Sequence, residues 1–85
     1  MSERVATFRP AIRDYDDLRA AIAARRRELG LSQLETDHRA GTHDGYVGKI
    51  ECGDRCLGDM SLQAILGALG IELVVRTYDP GAKPA

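Results

Sequence analysis

Large aromatic residues are scarce in this 85-residue chain, which has no Trp, one Phe and three Tyr. Its core must therefore be built from aliphatic side chains. The two cysteines are too few for a secreted, disulfide-based framework. The apolar stretches are too short to span a bilayer, and no apolar signal-peptide region follows the N-terminus. These absences lead us to expect a cytoplasmic protein with no membrane partner.

An excess of either charge is also lacking, because 12 Lys and Arg face 13 Asp and Glu, for a net charge of −1. That balance argues against a strongly basic coat protein and against a polycation that binds membrane surfaces. Hydrophobic residues make up 44% and charged residues 29%, an ordinary globular composition. The length allows one domain with a modest core, which oligomerisation would enlarge.

The pattern of apolar and turn residues divides the chain into four parts. Residues 1–13 form an N-terminal arm with a short strand near residues 5–8, and residues 14–70 form a helical domain. Residues 71–78 form a C-terminal strand, and residues 79–85 are a loose tail. Ile71, Leu73 and Val75 alternate on one face of the predicted C-terminal strand. A single strand leaves backbone groups unpaired, so it must pair with the arm or with a second copy of the chain.

Local capping residues predict the first two helices. Asp14 has the character of an N-cap and begins a helix that Gly30 ends. Ser32 and Glu35 have the spacing of a capping box, which predicts a second helix over residues 33–40.

Two further helices are predicted from single cap residues and from the spacing of apolar residues. Thr42 can cap a third helix that runs from about residue 43 to residue 51, with Tyr46 packed inward as a core residue. Ser61 is expected to cap a fourth helix. Its apolar residues repeat at helical spacing, namely Leu62, Ile65, Leu66 and Leu69.

Two short helices joined at Gly41 within twenty residues favour a helix-turn-helix. Residues 26–33 resemble the junction between the first two helices of Cro/CI-type (XRE-family) phage repressors. Residues 41–53, Gly-Thr-His-Asp-Gly-Tyr-Val-Gly-Lys-Ile-Glu-Cys-Gly, resemble the turn and recognition helix of that family. The resemblance covers roughly residues 18–73. It implies a mostly α, four-to-five-helix lambda-repressor-like domain that binds double-stranded DNA.

The resemblance also implies roles for single residues. Arg26 on the first helix aligns with an Arg of the family that forms a structural salt bridge. The partner of that Arg is a Glu that aligns with Glu51. The candidate DNA contacts are Gln33, His43, Asp44, Lys49 and Arg55. Arg55 lies just beyond the third helix. Gln33 suits a phosphate, whereas Lys49 suits a guanine or a phosphate.

Some residues depart from the family pattern. Asp37 stands where the family usually has a small Ala, so its carboxylate must find a partner or reach solvent. Asp44 faces phosphates of its own sign, and its best use is to accept from a cytosine amine. Gly45 and Gly48, at groove-facing positions, offer no side chain to a base.

The local charge keeps two functions open. Residues 28–61 carry three basic and seven acidic groups, a net charge of −4, which opposes phosphate binding. The first function is a DNA-binding repressor or autoregulator that acts as a homodimer. The alternative is a protein-interaction module, an antitoxin or antiactivator subunit with weak or no DNA binding, whose partner would be a toxin or an activator.

The C-terminal part carries a second resemblance. A helix followed at once by a strand, over residues 69–76, is similar to HipB-type antitoxins, in which strands of two subunits pair. This implies a two-fold dimer that places two recognition helices about one DNA turn apart.

Catalysis and metal binding are not indicated. Cys52 and Cys56 lie near His38 and His43, but their spacing is not that of a zinc finger or ribbon. No oxyanion donor or ordering acid accompanies either thiol, so we expect neither an enzyme nor a cofactor. The run of arginines at 25–27 is interpreted as one structural residue and a solvated, dipole-compatible helix end.

Overall fold

The structure is a computed structural model that describes residues 11–81. Within that range the chain forms four helices and no strand: α1 (Tyr15–Glu28), α2 (Gln33–Ala40), α3 (Tyr46–Cys52) and α4 (Asp59–Leu69). The expectation of a mostly α fold is confirmed. The strand predicted at residues 5–8 lies outside the described residues, and the predicted segment boundaries stay predictions.

A small aliphatic core joins three of the helices. Ile22 of α1, Val47 of α3, and Ile65 and Leu69 of α4 are each at most 1% exposed and form one cluster. Each such side chain contributes about 1.5–3 kcal/mol when it leaves water. The second helix packs against α3 and α4 and places two buried polar residues, Thr36 and Asp37, beside this core. The small number of large aromatics is thus consistent with a core that is mainly aliphatic.

The first two helices begin where their caps predict. The Asp14 carboxylate accepts from the Asp17 N–H at 2.8 Å. The Ser32 hydroxyl accepts from the Glu35 N–H at 3.0 Å, and the Glu35 carboxylate accepts from the Ser32 N–H at 2.8 Å. These bonds from Ser32 hold the pKa of Glu35 below its ordinary value. The predicted capping box is therefore confirmed.

The third and fourth helices begin at other residues than predicted. The third helix starts at Tyr46 rather than near residue 43, because Gly45 before it has a φ of 90°, in the left-handed region that a helix does not use. The Thr42 hydroxyl does not cap α3 but donates to Asp37. The fourth helix starts at Asp59, two residues before Ser61, with an acidic residue in its first turn that suits the helix dipole.

The described chain does not form the predicted strand over residues 71–78, and the HipB-type resemblance is not supported. Ile71 packs against the core and its N–H donates to the Leu66 carbonyl at 2.9 Å. After it, residues 72–78 make no backbone hydrogen bond to the rest of the described chain. A strand needs a backbone partner, and none of residues 11–81 provides one. Val74 and Val75 are accordingly 80% and 92% exposed.

Candidate nucleic-acid interface

The second and third helices are joined by a turn over residues 41–45. The Asp37 carbonyl accepts from the N–H groups of Gly41 at 2.8 Å and Thr42 at 3.0 Å, which ends α2 and reverses the chain. Gly45, at the last position of the turn, has no side chain with which to cap α3. The first turn of α3 therefore depends on a group from elsewhere in the chain.

That group is the carboxylate of Asp37, which is 0% exposed. Its Oδ1 accepts from the Thr42 hydroxyl at 2.7 Å and from the Val47 N–H at 2.9 Å. Its Oδ2 accepts from the Gly45 N–H at 2.9 Å. The partner that the sequence requires for Asp37 is thus the beginning of α3. A side chain of α2 does the work of an N-cap for the next helix.

The other end of α3 is held by Arg26 of α1. The Arg26 Nε donates to Glu51 Oε2 at 2.6 Å and its Nη2 donates to Glu51 Oε1 at 2.9 Å, the fork geometry of a strong ion pair. The Arg26 Nη1 also donates to the Leu31 carbonyl at 2.8 Å. Both side chains are largely buried, at 11% and 8% exposure. The two residues that the family resemblance pairs therefore do contact each other.

The ionisation of Glu51 reflects two opposed effects. Burial disfavours its charge, but the hydrogen bonds from Arg26 and Gln33 and the positive charges of Arg26 and Arg27 more than offset burial. The pKa of Glu51 is therefore lowered from its ordinary value of 4.5. The hydrogen bond to Glu51 raises the pKa of Arg26 against the opposing effect of burial, so the pair stays ionised.

Gln33 lies at the start of α2 and reaches across to α3. Its Nε2 donates to Glu51 Oε1 at 2.9 Å. A Cβ on Gly48 would lie 3.1 Å from Gln33 Oε1, so Gly48 leaves room for this side chain. An amide nitrogen carries two N–H donors, and the second one makes no hydrogen bond to the described residues.

His43 and Asp44 lie in the turn and not on α3, where the sequence prediction put them. The Asp44 carboxylate is 3.1 Å from Nε2 of His38, and both side chains are exposed. The His43 ring meets the Tyr46 ring edge-on, with centroids 5.2 Å apart. Tyr46 itself is 6% exposed, which confirms it as a core residue.

Lys49 and Arg55 are exposed, and neither forms an ion pair with another residue of the range 11–81. Lys49 lies in the middle of α3 with its side chain exposed, whereas Val47 and Ile50 of the same helix are buried. Arg55 lies in the loop between α3 and α4. Both cations can therefore meet a ligand without first breaking a contact.

A helix-turn-helix family model matches residues 22–75, more than half of the chain. The chain belongs to the XRE-type helix-turn-helix family. The match begins within α1 and includes α2, α3 and α4. Neither the curated proteins nor the solved structures contain a match to the chain.

Membership in this family makes the protein a DNA-binding regulator of the XRE type, and it identifies α3 as the recognition helix. Both ends of this recognition helix are attached to the rest of the domain, by Asp37 at one end and by Arg26 at the other. Such attachment limits the freedom that a recognition helix would lose on binding DNA.

Sequence reasoning missed two residues of this region. The sequence indicated that the Asp37 carboxylate needs a partner, but not which one. The available signal was Gly45, which precedes α3 and has no side chain to cap it. The pairing of His38 with Asp44 had no signal in the sequence. The arginines at 25–27 are more structural than expected, because the Arg25 Nε donates to the Leu69 carbonyl at 2.8 Å in addition to the Arg26 pair.

Within residues 11–81, no group of three or more His, Cys, Asp or Glu side chains is arranged to hold a metal ion. Cys52 and Cys56 are both exposed free thiols. None of the helices within residues 11–81 has the length and apolar character needed to cross a membrane.

Proposed function

We propose that this XRE-type regulator is a sequence-specific repressor or autoregulator that binds double-stranded DNA as a homodimer. The observation that carries the proposal is the orientation of α3. Tyr46, Val47 and Ile50 are buried whereas Lys49 is exposed, so the solvent-facing side of the helix that carries Lys49 is free to enter a major groove.

The proposed contacts are divided between phosphates and bases. Lys49 lies where it would donate to guanine or to a phosphate, and Arg55 would hold a phosphate beyond the end of α3. Gln33 would use its second amide N–H on the backbone of the same DNA.

The turn supplies two further proposed contacts. His43 would donate to a phosphate or a base edge, more strongly when it is protonated. Asp44 would accept from a cytosine amine, with His38 at 3.1 Å reducing its repulsion of nearby phosphates when that ring is protonated.

The net charge of −4 over residues 28–61 predicts few phosphate contacts and a modest affinity. Each neutralised phosphate releases counterions, so the logarithm of the binding constant falls linearly with that of the salt concentration. We expect a shallow slope, in keeping with the small number of exposed cations, and the measurement should start at low salt.

The test is a gel-shift titration of the protein with the DNA immediately upstream of its own gene. Lys49→Gln should weaken binding by about tenfold or more, since a good base contact is worth about 1–3 kcal/mol. Lys49→Arg is the matched control, because it keeps the positive charge and most of the affinity. Binding that Lys49→Gln leaves unchanged would contradict the role of Lys49.

Absence of any shift at low salt would favour the alternative, a protein-interaction module of the antitoxin or antiactivator kind with a toxin or activator as partner. Gly45 and Gly48 offer no side chain to a DNA base, which is compatible with that function. A regulator of either kind is expected to work in the cytoplasm, and this location stays a prediction.

The proposed dimer is supported by the exposed C-terminal segment, residues 72–78. Its backbone groups lack partners within residues 11–81, and Leu73, Val74 and Val75 are all more than half exposed. An antiparallel two-fold pairing centred on Val74 would set Glu72 opposite Arg76 of the second copy, at both ends of the contact. Opposite charges in these positions favour this register over a shifted one.

Light scattering tests the dimer. Val74→Pro removes a backbone donor at the centre of the proposed pairing and should give monomers. Glu72→Arg should weaken the dimer, and Glu72→Arg combined with Arg76→Glu should restore it. A dimer indifferent to all three variants would contradict this interface.

A further inference from the structure

Asp37 is the most unusual polar group in the described part of the molecule. It is fully buried, and it takes part in none of the ion pairs among residues 11–81. A buried carboxylate is tolerated only when hydrogen-bond donors replace the water that it loses. Here all three donors to the carboxylate come from one short stretch of chain, residues 42–47.

These donors lie on both sides of the point at which α3 begins. Thr42 and Gly45 belong to the turn, and Val47 is the second residue of the helix. One carboxylate therefore holds the turn in a non-helical conformation. It also accepts from the Val47 N–H, which has no partner within α3. Because Asp37 is part of α2, the same contacts tie the start of α3 to the helix that precedes it.

We propose that Asp37 is a positioning residue for DNA recognition: its carboxylate sets the residue at which α3 begins and thereby places Lys49 relative to the DNA. This proposal rests on the DNA-binding function proposed above. It explains why a seven-residue recognition helix with a glycine before it keeps a defined start. Without the carboxylate, the turn and the first residues of α3 lose their common acceptor.

The main test uses Asp37→Asn, which keeps the size of the side chain. The amide oxygen can still accept from Thr42 and Val47, but the new NH₂ group then faces the Gly45 N–H, donor against donor. This repulsion should displace the side chain from all three donors, so amide hydrogen exchange followed by NMR should show the Gly45 and Val47 N–H groups exchanging about tenfold faster or more than in the wild type.

Thr36→Val is the matched control. Thr36 is also 0% exposed and also lies on α2, but its hydroxyl donates to the Ser32 carbonyl at 3.0 Å, and it makes no hydrogen bond to residues 42–47. This variant should lose global stability while leaving the relative exchange rates of Gly45 and Val47 unchanged. A purely structural role of Asp37 would make the two variants behave alike.

The DNA measurement compares the same two variants by gel shift with the upstream DNA, at a temperature where both are fully folded. Asp37→Asn should raise Kd by about tenfold, since a misplaced α3 loses its base contact, whereas Thr36→Val should leave Kd within about twofold. Equal Kd values for the wild type and Asp37→Asn, or unchanged exchange at Gly45 and Val47, would overturn the proposal.

The outcomes separate this proposal from the proposed function. If the wild type shifts no DNA, the DNA-binding function fails, and the exchange rates still decide whether Asp37 sets the start of α3. If Asp37→Asn does not fold, Thr42→Val provides the test, because it removes one donor and leaves the carboxylate in place. It should increase exchange at Val47 by a smaller factor, about threefold, and no increase would overturn the proposal.

Discussion

The two ends of the recognition helix are held by buried carboxylates of different kinds. At the N-terminal end, Asp37 accepts from two backbone N–H groups and a hydroxyl, all of them neutral. At the C-terminal end, Glu51 accepts from the charged guanidinium of Arg26 and from the amide of Gln33. The first arrangement depends on hydrogen bonds from neutral donors, whereas the second also depends on a cation. Substitutions at the two ends should therefore have different consequences.

The largest effect is expected from Arg26→Ala. It would leave the largely buried Glu51 without its ion-pair partner, and breaking a buried pair from one side costs about 3–5 kcal/mol. That is a large part of the total stability of a small domain. Urea unfolding should show a strongly lowered midpoint or no cooperative transition.

The double variant Arg26→Met with Glu51→Leu is the control for the loss of charge. Replacing both partners by apolar residues of similar size is often neutral, so this variant should be far more stable than Arg26→Ala. If the single and double variants were equally unstable, packing of the Arg26 chain, and not its charge, would hold this end of α3.

An intermediate effect is expected from the two glycines that flank α3. Gly45 and Gly53 both have a φ of 90°, so an Ala at either position costs about 1–2 kcal/mol in backbone strain. At Gly45 the new Cβ would meet open space, but at Gly53 it would overlap the Arg19 guanidinium. Gly53→Ala should therefore destabilise the protein more than Gly45→Ala in urea unfolding. Equal losses would show that Arg19 moves aside at no cost.

The smallest effect is the pH dependence of the C-terminal end. The folded-state pKa of Glu51 lies below 4.5, so its charge stabilises the fold above that pH, and this contribution is lost as the pH falls through the folded pKa. The free energy of unfolding of the wild type should fall more steeply than that of Glu51→Gln between about pH 5 and pH 3. Parallel curves would mean that the ionised pair adds nothing to stability.

The two ends of α3 also differ in how far the sequence predicts them. The pairing of Arg26 with Glu51 followed from a family pattern that both residues match. The contact of Asp37 with α3 did not, because Asp37 and Gly45 depart from that pattern together. A prediction that treated each position separately placed His43 and Asp44 on a helix that begins only at Tyr46.

The sequence by itself determined the elements whose signals are local. The starts of α1 and α2 follow from Asp14 and from Ser32 with Glu35, since an N-cap acts within three residues of the chain. The inward faces of the helices follow from the spacing of apolar residues, which explains why Tyr46 was correctly expected in the core.

Only the tertiary structure decided where α3 begins and what the C-terminal segment does. The start of α3 is set by Asp37, a residue of another helix, so the packing of α2 against α3 has to exist before the cap can form. Residues 72–78 have strand-like composition, but a strand requires a second backbone to accept its hydrogen bonds, and the described chain offers none. The composition of residues 72–78 favours a strand, but a strand forms only when a second backbone is present to pair with it.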